Sequence, residues 1–116
     1  MICVEAGATR IPRLIVTRSK NDIPIRLTQE RWSHIVERHP EMENQKSRVL
    51  ETLNSPDLLQ AGDLGTLIAA KLYPQTPLSE KFLVVIYKEL SQTDGFVLSA
   101  YLTNRPRERR KVLWKR

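Results

Sequence analysis

The sequence predicts an α+β fold in which two N-terminal helices pack on one face of a four-stranded, mainly antiparallel sheet. An amphipathic segment follows Thr28, because Trp32, Ile35 and Val36 recur at the i, i+3 and i+4 spacing of one helix face. From residue 58 onward, short β-type runs alternate with turns. The connections between these runs are too short for helical crossovers, so consecutive strands are expected to pair antiparallel.

The N-terminal part contains a predicted hairpin. Two β-type runs, at residues 13–17 and 23–27, flank a polar turn at residues 19–22. This pattern predicts an extra N-terminal hairpin or a pair of edge strands. Residues 1–10 show no regular pattern and are expected to be loosely structured.

Two helices are expected next. Thr28 is a typical N-cap residue. Glu30 lies in the first turn after it, where negative charge is favoured. Proline disfavours the α conformation of the residue before it, so the first helix is expected to end in a turn that contains His39. Pro40 is expected to begin the second helix, which stops before Asn54. The apolar side of that helix comprises Met42, Val49, Leu50 and Leu53.

The remainder is predicted to form four strands, at residues 58–61, 66–73, 81–90 and 96–103. The third run is apolar on both faces, which is typical of a central strand. The last run alternates, so its two faces hold different residue types. The face expected to meet the helices comprises Phe96, Leu98, Ala100 and Leu102. The opposite face comprises Val97, Ser99, Tyr101 and Thr103.

Positive charge is concentrated at the C-terminus. The net charge is +6, and residues 105–116 carry all of this excess because residues 1–104 are formally neutral. We therefore expect a single domain at residues 1–104 and a basic C-terminal tail at residues 105–116. The basic cluster, which includes Trp114, suits an anionic partner such as RNA, DNA or an acidic protein. The alternative is a solvated tail that only aids solubility.

Cysteine content and hydropathy indicate the compartment. Cys3 is the only cysteine, which excludes an internal disulfide and a cysteine-based zinc site. No apolar run approaches the roughly 20 residues that cross a bilayer. The N-terminus lacks the features of a secretory signal. We therefore expect a cytoplasmic protein with no membrane partner.

The chain has two histidines, His34 and His39. On one uninterrupted helix their side chains would point about 140° apart, but the turn before Pro40 is able to swing His39 back beside His34. Two imidazoles that titrate near neutral pH, with Arg31 and Arg38 alongside, suit metal-free acid–base chemistry on a phosphodiester. The alternatives are a surface ion-pair network around His34 and a capping or packing role for His39. Two histidines without a third ligand fall short of a zinc site.

A lysine and a row of hydroxyls form a second candidate group. Lys71 lies late in the predicted second strand among apolar residues, which is typical of a held ammonium group. Ser99, Tyr101 and Thr103 put three hydroxyls on one face of the last strand. A lysine and hydroxyls on one sheet face can bind phosphate oxygens and stabilise charge in a transition state. The alternative is that all four are ordinary strand residues.

Several short motifs follow the order of the predicted elements. They are IRLTQERWSHI at 25–35, RHPE at 38–41, SPD at 55–57, Lys71, LVV at 83–85 and SAYLT at 99–103. In these motifs the chain resembles a phage- and toxin-associated family of the barnase–EndoU–colicin–RelE-like nuclease group, over about residues 23–105. The family often has Thr before Ala-Tyr in the last strand, where this chain has Ser99 and keeps the hydroxyl.

The resemblance implies two N-terminal helices on a four-stranded antiparallel sheet and RNA cleavage without a metal or cofactor. The catalytic residues carried over are His34, His39, Lys71, Ser99 and Tyr101. The residues expected to bind substrate are Arg31, Arg38, Thr103 and Arg105. RNA is the expected partner, and an acidic antitoxin or immunity protein is a second one. Members of the group differ in their catalytic residues and some are inactive, so the fold carries over more safely than the activity.

The leading hypothesis is an endoribonuclease, toxin-like or domesticated. One histidine removes the 2′-hydroxyl proton, the oxygen attacks the adjacent phosphorus, and the other histidine protonates the 5′-oxygen that leaves. Lys71, with Ser99 or Tyr101, steadies the charge on the phosphorane. The main alternative is a catalytically silent module of the same fold that binds nucleic acid or protein. A third is a small structural subunit whose histidines only pack.

Overall fold

The computed structural model describes residues 14–116, in which a mixed sheet of seven strands packs against two helices. The strands are β1 (Leu14–Arg18), β2 (Pro24–Thr28), β3 (Leu58–Ala61), β4 (Leu67–Tyr73), β5 (Lys81–Ser91), β6 (Asp94–Thr103) and β7 (Val112–Lys115). The helices are α1 (Gln29–Arg38) and α2 (Lys46–Asn54). Cys3, the expected loose segment at residues 1–10 and the first residue of the predicted hairpin, Arg13, lie outside the described residues.

The strand order in the sheet is β1-β2-β6-β5-β4-β3-β7. The predicted antiparallel meander is confirmed, because β3, β4, β5 and β6 pair antiparallel in sequence order. The predicted hairpin is also present, since β1 pairs antiparallel with β2. The sheet is larger than the predicted four strands for two reasons. The hairpin joins β6 through a parallel contact at Arg26 and Phe96, and β7 pairs with β3 at the other side.

The helix ends follow the sequence signals with one exception. The Thr28 side chain accepts a hydrogen bond from the Arg31 amide at 3.0 Å and thereby caps α1, as predicted. Pro40 does not begin α2, contrary to the prediction. It begins a single 3-10 turn, and α2 starts only at Lys46. The turn lets Met42 reach the core, where it is fully buried.

The main core lies between the helices and the inner face of the sheet, which is the face that they cover. The helices contribute Trp32, Ile35, Val49 and Leu53. The central strands contribute Leu59, Ala69, Tyr73, Leu83, Val85, Tyr87, Ala100 and Leu102. A smaller apolar cluster of Ile68, Ala70 and Val84 lies on the outer face. The central strands are therefore apolar on both sides, as the sequence of β5 predicts.

A β-bulge in β6 changes which side chains face the helices. Tyr87 lies opposite Val97 and Ile86 lies opposite Ser99, so Leu98 is an extra residue in the ladder. An inserted residue shifts the alternation by one position. The predicted alternation is therefore wrong before the bulge and correct after it.

The consequences appear on both faces of β6. Val97, predicted to face outward, is 2% exposed and belongs to the main core. Phe96, predicted to meet the helices, lies opposite Arg26 and faces outward with it. Beyond the bulge, the residues that face the helices as predicted are Ala100 and Leu102.

The C-terminal segment was expected to be a basic tail, but its last part is the edge strand of the sheet opposite β1. Residues 112–115 form β7, and the Trp114 side chain packs on the main core. Residues 105–111, here called the basic strap, lead from the end of β6 to β7. The buried Gln60 side chain, which points to the outer face, donates a hydrogen bond to the Arg107 carbonyl at 2.6 Å. The basic strap therefore crosses the outer face of the sheet.

The two edges of the sheet approach each other over the end of α2. Asn54 of α2 donates a hydrogen bond to the Arg18 carbonyl in β1 at 3.1 Å. Lys20, in the turn between β1 and β2, holds its ammonium group 4.0 Å from the centre of the Trp114 ring. A cation over an indole face is attracted by about 0.5–2 kcal/mol. The N-terminal hairpin and β7 are thus linked although they are the two edges of one sheet.

We expect Trp114→Ala to lower the free energy of unfolding by about 1–3 kcal/mol, because it removes a half-buried indole and its contact with Lys20. Urea denaturation followed by circular dichroism measures the change. Leu113→Ala is the matched control, since Leu113 is 46% exposed, and it should change stability by less than about 0.5 kcal/mol. Equal effects of the two variants would show that the indole does not hold β7 in place.

Candidate functional site

His39 lies at the C-terminal end of α1 and faces the sheet. Its backbone N–H donates to the Ile35 carbonyl at 2.8 Å, so the residue keeps the helical position one turn beyond Ile35. Ile35 is buried in the main core, and His39 follows it on the same side. The centres of the His39 and Tyr101 rings are 5.7 Å apart. This separation is within the range of direct aromatic contacts.

The ring of Tyr101 is within reach of His39 because no strand within residues 14–116 covers this edge of β6. The ladder between β2 and β6 contains one residue pair, Arg26 opposite Phe96. The chain then leaves β2 and enters α1, which with the turn after it lies beside the rest of β6. Tyr101 itself stays half-buried against the outer apolar cluster. The two rings therefore meet where the helix layer and the outer face adjoin.

Glu41 is the charged neighbour of the His39 ring. A Glu41 carboxylate oxygen lies 3.8 Å from Nδ1 of His39, and the two side chains are 19% and 34% exposed. This distance is longer than a hydrogen bond, so Glu41 faces the ring as a nearby negative charge.

The basic strap brings positive charge to the outer face of the sheet, on which Tyr101 lies. Arg110 donates two hydrogen bonds to Asp63, at 2.6 and 3.0 Å, and so anchors the strap to the turn between β3 and β4. The hydrogen bond from Arg110 lowers the pKa of Asp63, and the same contact raises the pKa of Arg110. The Tyr101 side chain, when ionised, adds to the rise in the pKa of Arg110. The guanidinium group therefore lies in the neighbourhood of the Tyr101 hydroxyl.

The other cations of the basic strap are open to solvent. Arg107, Arg109 and Lys111 are exposed and form no ion pair with any residue between 14 and 116. Arg105 makes an exposed contact with Glu108 at 3.5 Å, and such a pair contributes little to stability. These side chains are therefore available to phosphate oxygens.

The hydroxyls of β6 extend the candidate site along the outer face. Ser99 is half-buried opposite Ile86, a residue of the outer apolar cluster. The Thr103 hydroxyl, at the end of β6, donates to the Arg105 carbonyl at 3.2 Å. Thr103 thus helps to set the direction in which the basic strap leaves the sheet.

His34 lies on a different surface from His39. It is exposed and lines a groove together with Ser33, Glu37 and Glu43. Helix geometry turns position 34 about 140° away from position 39. The turn at Pro40 does not bring the two rings together, because the His39 ring is directed at the sheet.

The two arginines of α1 lie at opposite ends of the helix, and both are exposed. Arg31 lines a shallow pocket with Arg26 and Phe96, next to the start of β6. Arg38 is in the last turn, beside His39 in the chain. Arg31 therefore faces the outer side of the sheet, and Arg38 lies at the end of α1 that carries His39.

Lys71 faces the helices and not the outer face. Its neighbour across the ladder in β5, Leu83, belongs to the main core. Nζ of Lys71 donates to the Ser55 carbonyl at 2.9 Å and lies 3.9 Å from the Asp57 carboxylate. Because the hydroxyls of β6 face the other way, the structure does not bring Lys71 together with them.

Sequence analysis missed two residues of this site, Glu41 and Arg110. Glu41 directly follows Pro40, the predicted start of the second helix, where a carboxylate is favoured by the helix dipole, so its position did not indicate a partner for His39. Arg110 was counted only within the basic tail. No pattern in the sequence showed that this segment folds back over the sheet.

Within residues 14–116, no three His, Cys, Asp or Glu side chains converge as metal ligands. No helix of the same segment is long and apolar enough to cross a membrane. No family model, no curated protein and no solved structure matches the chain.

We expect Lys71→Met to lower the free energy of unfolding by about 1–2 kcal/mol, because it removes a charged hydrogen bond to the Ser55 carbonyl while keeping the aliphatic stem. Urea denaturation measures the change. Lys88→Met is the control, since Lys88 forms no ion pair within residues 14–116. If the two variants were equally stable, the contacts of Lys71 would not hold the segment between α2 and β3.

Proposed function

We propose that the protein is a metal-independent endoribonuclease whose site is centred on His39 and Tyr101. One observation carries the proposal: an imidazole and a phenol are in contact at an open strand edge, next to a strap of exposed arginines. An imidazole is suited to proton transfer near neutral pH. Guanidinium groups are suited to binding phosphate and stabilising the charge that develops on it.

In the proposed reaction, Nε2 of His39 removes the proton of a ribose 2′-hydroxyl. The 2′-oxygen then forms a bond to the adjacent phosphorus as the bond to the 5′-oxygen breaks, which leaves a 2′,3′-cyclic phosphate. The Tyr101 hydroxyl supplies the proton that the departing 5′-oxygen takes up. Glu41 stabilises the imidazolium ion that forms and keeps the ring in orientation.

The proposal differs from the sequence-based mechanism in two groups. His34 was expected to act as the second proton-transfer residue, and Lys71 was expected to stabilise the phosphorane. The exposed position of His34 and the contacts of Lys71 beneath the sheet favour other residues for these roles. In the proposal, Tyr101 replaces His34 and the arginines of the basic strap replace Lys71.

Substrate binding is assigned to the cations and hydroxyl groups that border this site. Arg105 and Thr103 stand where the basic strap leaves β6, and Ser99 lies further up the same face. Arg31 and Arg38 mark the two ends of α1 along β6. An RNA strand that follows the strap would meet these groups at its phosphates, which position the chain without reading its sequence.

A catalytically silent RNA-binding module is the second candidate function. The isolation of His34 and Lys71 from Tyr101 favours it, because fewer groups than expected converge on one point. The exposed cations of the basic strap would serve binding equally well. The two functions differ in one observable, the cleavage of RNA.

We expect His39→Ala to slow RNA cleavage about 100-fold or more, because the reaction loses its general base. The measurement is incubation of purified protein with total RNA, and with a defined oligonucleotide, in the presence of EDTA. The wild-type pH–rate profile should have a limb that reports the general base, and this limb should be absent in the variant.

His34→Ala is the matched control, since it removes the other histidine of the chain. It should cleave RNA like the wild type, and Tyr101→Phe should be slow. Equal loss in both histidine variants would restore the histidine-pair mechanism. Binding of RNA without any cleavage by the wild type would establish the silent module.

The basic strap generates a separate prediction on binding. Replacing Arg107 and Arg109 with Gln should weaken RNA binding and reduce the slope of log affinity against log salt by about 1.4, since each phosphate contact on a single strand contributes about 0.7. Fluorescence anisotropy with a labelled oligonucleotide at several salt concentrations measures this slope.

The control is the pair Lys46→Gln and Lys81→Gln, which removes the same charge from the helix side of the molecule. Lys46 lies over the Trp32 ring and Lys81 lies opposite Tyr73, a main-core residue. Similar slopes in the two double variants would mean that net charge, and not the basic strap, governs binding.

A further inference from the structure

The turn between β3 and β4 displays a leucine in an unfavourable backbone conformation. Leu64 has φ 55° and ψ 40°, and the next residue, Gly65, has φ 80°. Two consecutive left-handed residues are typical of a type I′ turn, for which Asn-Gly is the preferred pair. The Leu64 side chain is 92% exposed. Leu64 therefore has neither a favourable conformation nor an apolar environment.

Comparison with the other left-handed residues shows that Leu64 is unusual. Within residues 14–116, the remaining non-glycine residues with positive φ are Asp22 and Ser79. Short polar side chains such as that of Asp tolerate this region, because they form local hydrogen bonds. Leucine gains no such compensation. A strained residue persists when its surroundings hold it there, and its presence points to function.

The surroundings do hold this turn. The Thr66 amide donates to the Asp63 carbonyl at 3.0 Å, and the Gly62 amide donates to the Thr66 carbonyl at 2.9 Å. The Thr66 hydroxyl donates to the same Asp63 carbonyl at 2.7 Å. Arg110 donates two hydrogen bonds to the Asp63 carboxylate. The turn is therefore rigid and is tied to the basic strap.

We propose that Leu64 contacts RNA, as an apolar side chain that packs against a base at the far end of the basic strap. This inference rests on the proposed function and extends its binding surface. Leu64 lies about 20 Å from Tyr101, because β3 and β6 are three strand spacings apart and the turn extends beyond the strands. RNA that follows the strap from Tyr101 would reach Leu64 several nucleotides from the bond that is cut.

Charge and area favour RNA over a protein partner. Besides Arg110, which binds Asp63, the cations near the turn are Arg107, which helps to lower the pKa of Asp63, and Lys88, whose side chain lies near Gly65. A stable protein interface needs a contact of roughly 1,000 Å² or more, whereas Leu64 is a single apolar residue among polar and charged ones. Leucine side chains wedge between the base steps of duplex DNA in proteins that bind its minor groove, and burying a leucine against a base of a single strand gains free energy through the same removal of apolar surface from water.

The test uses Leu64→Asn, which creates the preferred Asn-Gly turn. If Leu64 served folding, its replacement would lower the melting temperature. We instead expect Leu64→Asn to melt several degrees higher, because it relieves the strain in the turn. In the His39→Ala background, in which cleavage is slow, it should bind a single-stranded RNA oligonucleotide about tenfold more weakly, because a leucine buried against a base is lost. The salt dependence should stay the same, because no charge is removed.

Leu78→Asn is the matched control, since Leu78 is 45% exposed on the loop between β4 and β5, and it should leave RNA affinity unchanged. A second readout is 2-aminopurine placed along the oligonucleotide. Its fluorescence should rise at one position on binding of the parent protein, and this rise should disappear with Leu64→Asn.

The outcomes separate this inference from the proposed function. Unchanged RNA affinity in Leu64→Asn overturns the contact and leaves a protein partner as the reason for the exposed leucine. If Leu64→Asn weakens RNA binding and the wild type never cuts RNA, the contact is supported and the proposed nuclease activity is overturned. A loss of affinity that comes with a smaller salt slope also overturns the contact, because it would reflect displaced cations.

Discussion

The short parallel contact between β2 and β6 determines how the rest of the molecule is arranged. One residue pair, Arg26 opposite Phe96, joins the strands, and Arg26 also binds the Asp94 carboxylate at 2.7 Å. Because Thr28 caps α1 directly after β2, the helix runs beside the part of β6 that is not paired with any strand of the described segment. This arrangement brings the end of α1 to Tyr101. A longer ladder between β2 and β6 would have placed strand backbone where His39 now lies.

The basic strap couples the charge of the molecule to its topology. The chain must travel from the end of β6 to the free edge of β3, and the outer face of the sheet is the path that it takes. This crossing carries five basic residues along the outer face of the sheet. The ion pair between Arg110 and Asp63 fixes its far end. The last twelve residues therefore combine the basic strap with β7, a strand that belongs to the sheet.

Local patterns predicted the candidate site only in part. The contact partner of His39, Tyr101, was named from the alternation of the last strand, and that alternation holds beyond the bulge. Arg110 was not assigned because it joins the site through Asp63, which is distant in sequence. Glu41 is only two residues from His39, but the 3-10 turn that brings its carboxylate near the ring was not predicted. Lys71 was placed with the hydroxyls since both groups occur on strands. The inner or outer side of a strand depends on which face the helices cover, and that is decided by packing.

The sequence by itself determined the α+β class, the N-cap at Thr28, the hairpin and the antiparallel meander, because these depend on residues close together in the chain. Only the tertiary structure decided the bulge at Leu98 and the pairing of β7 with β3. A bulge is selected when burial of Val97 outweighs a regular ladder, and an edge strand needs a free edge to pair with. Both conditions arise from contacts between distant segments, so no local pattern contains them.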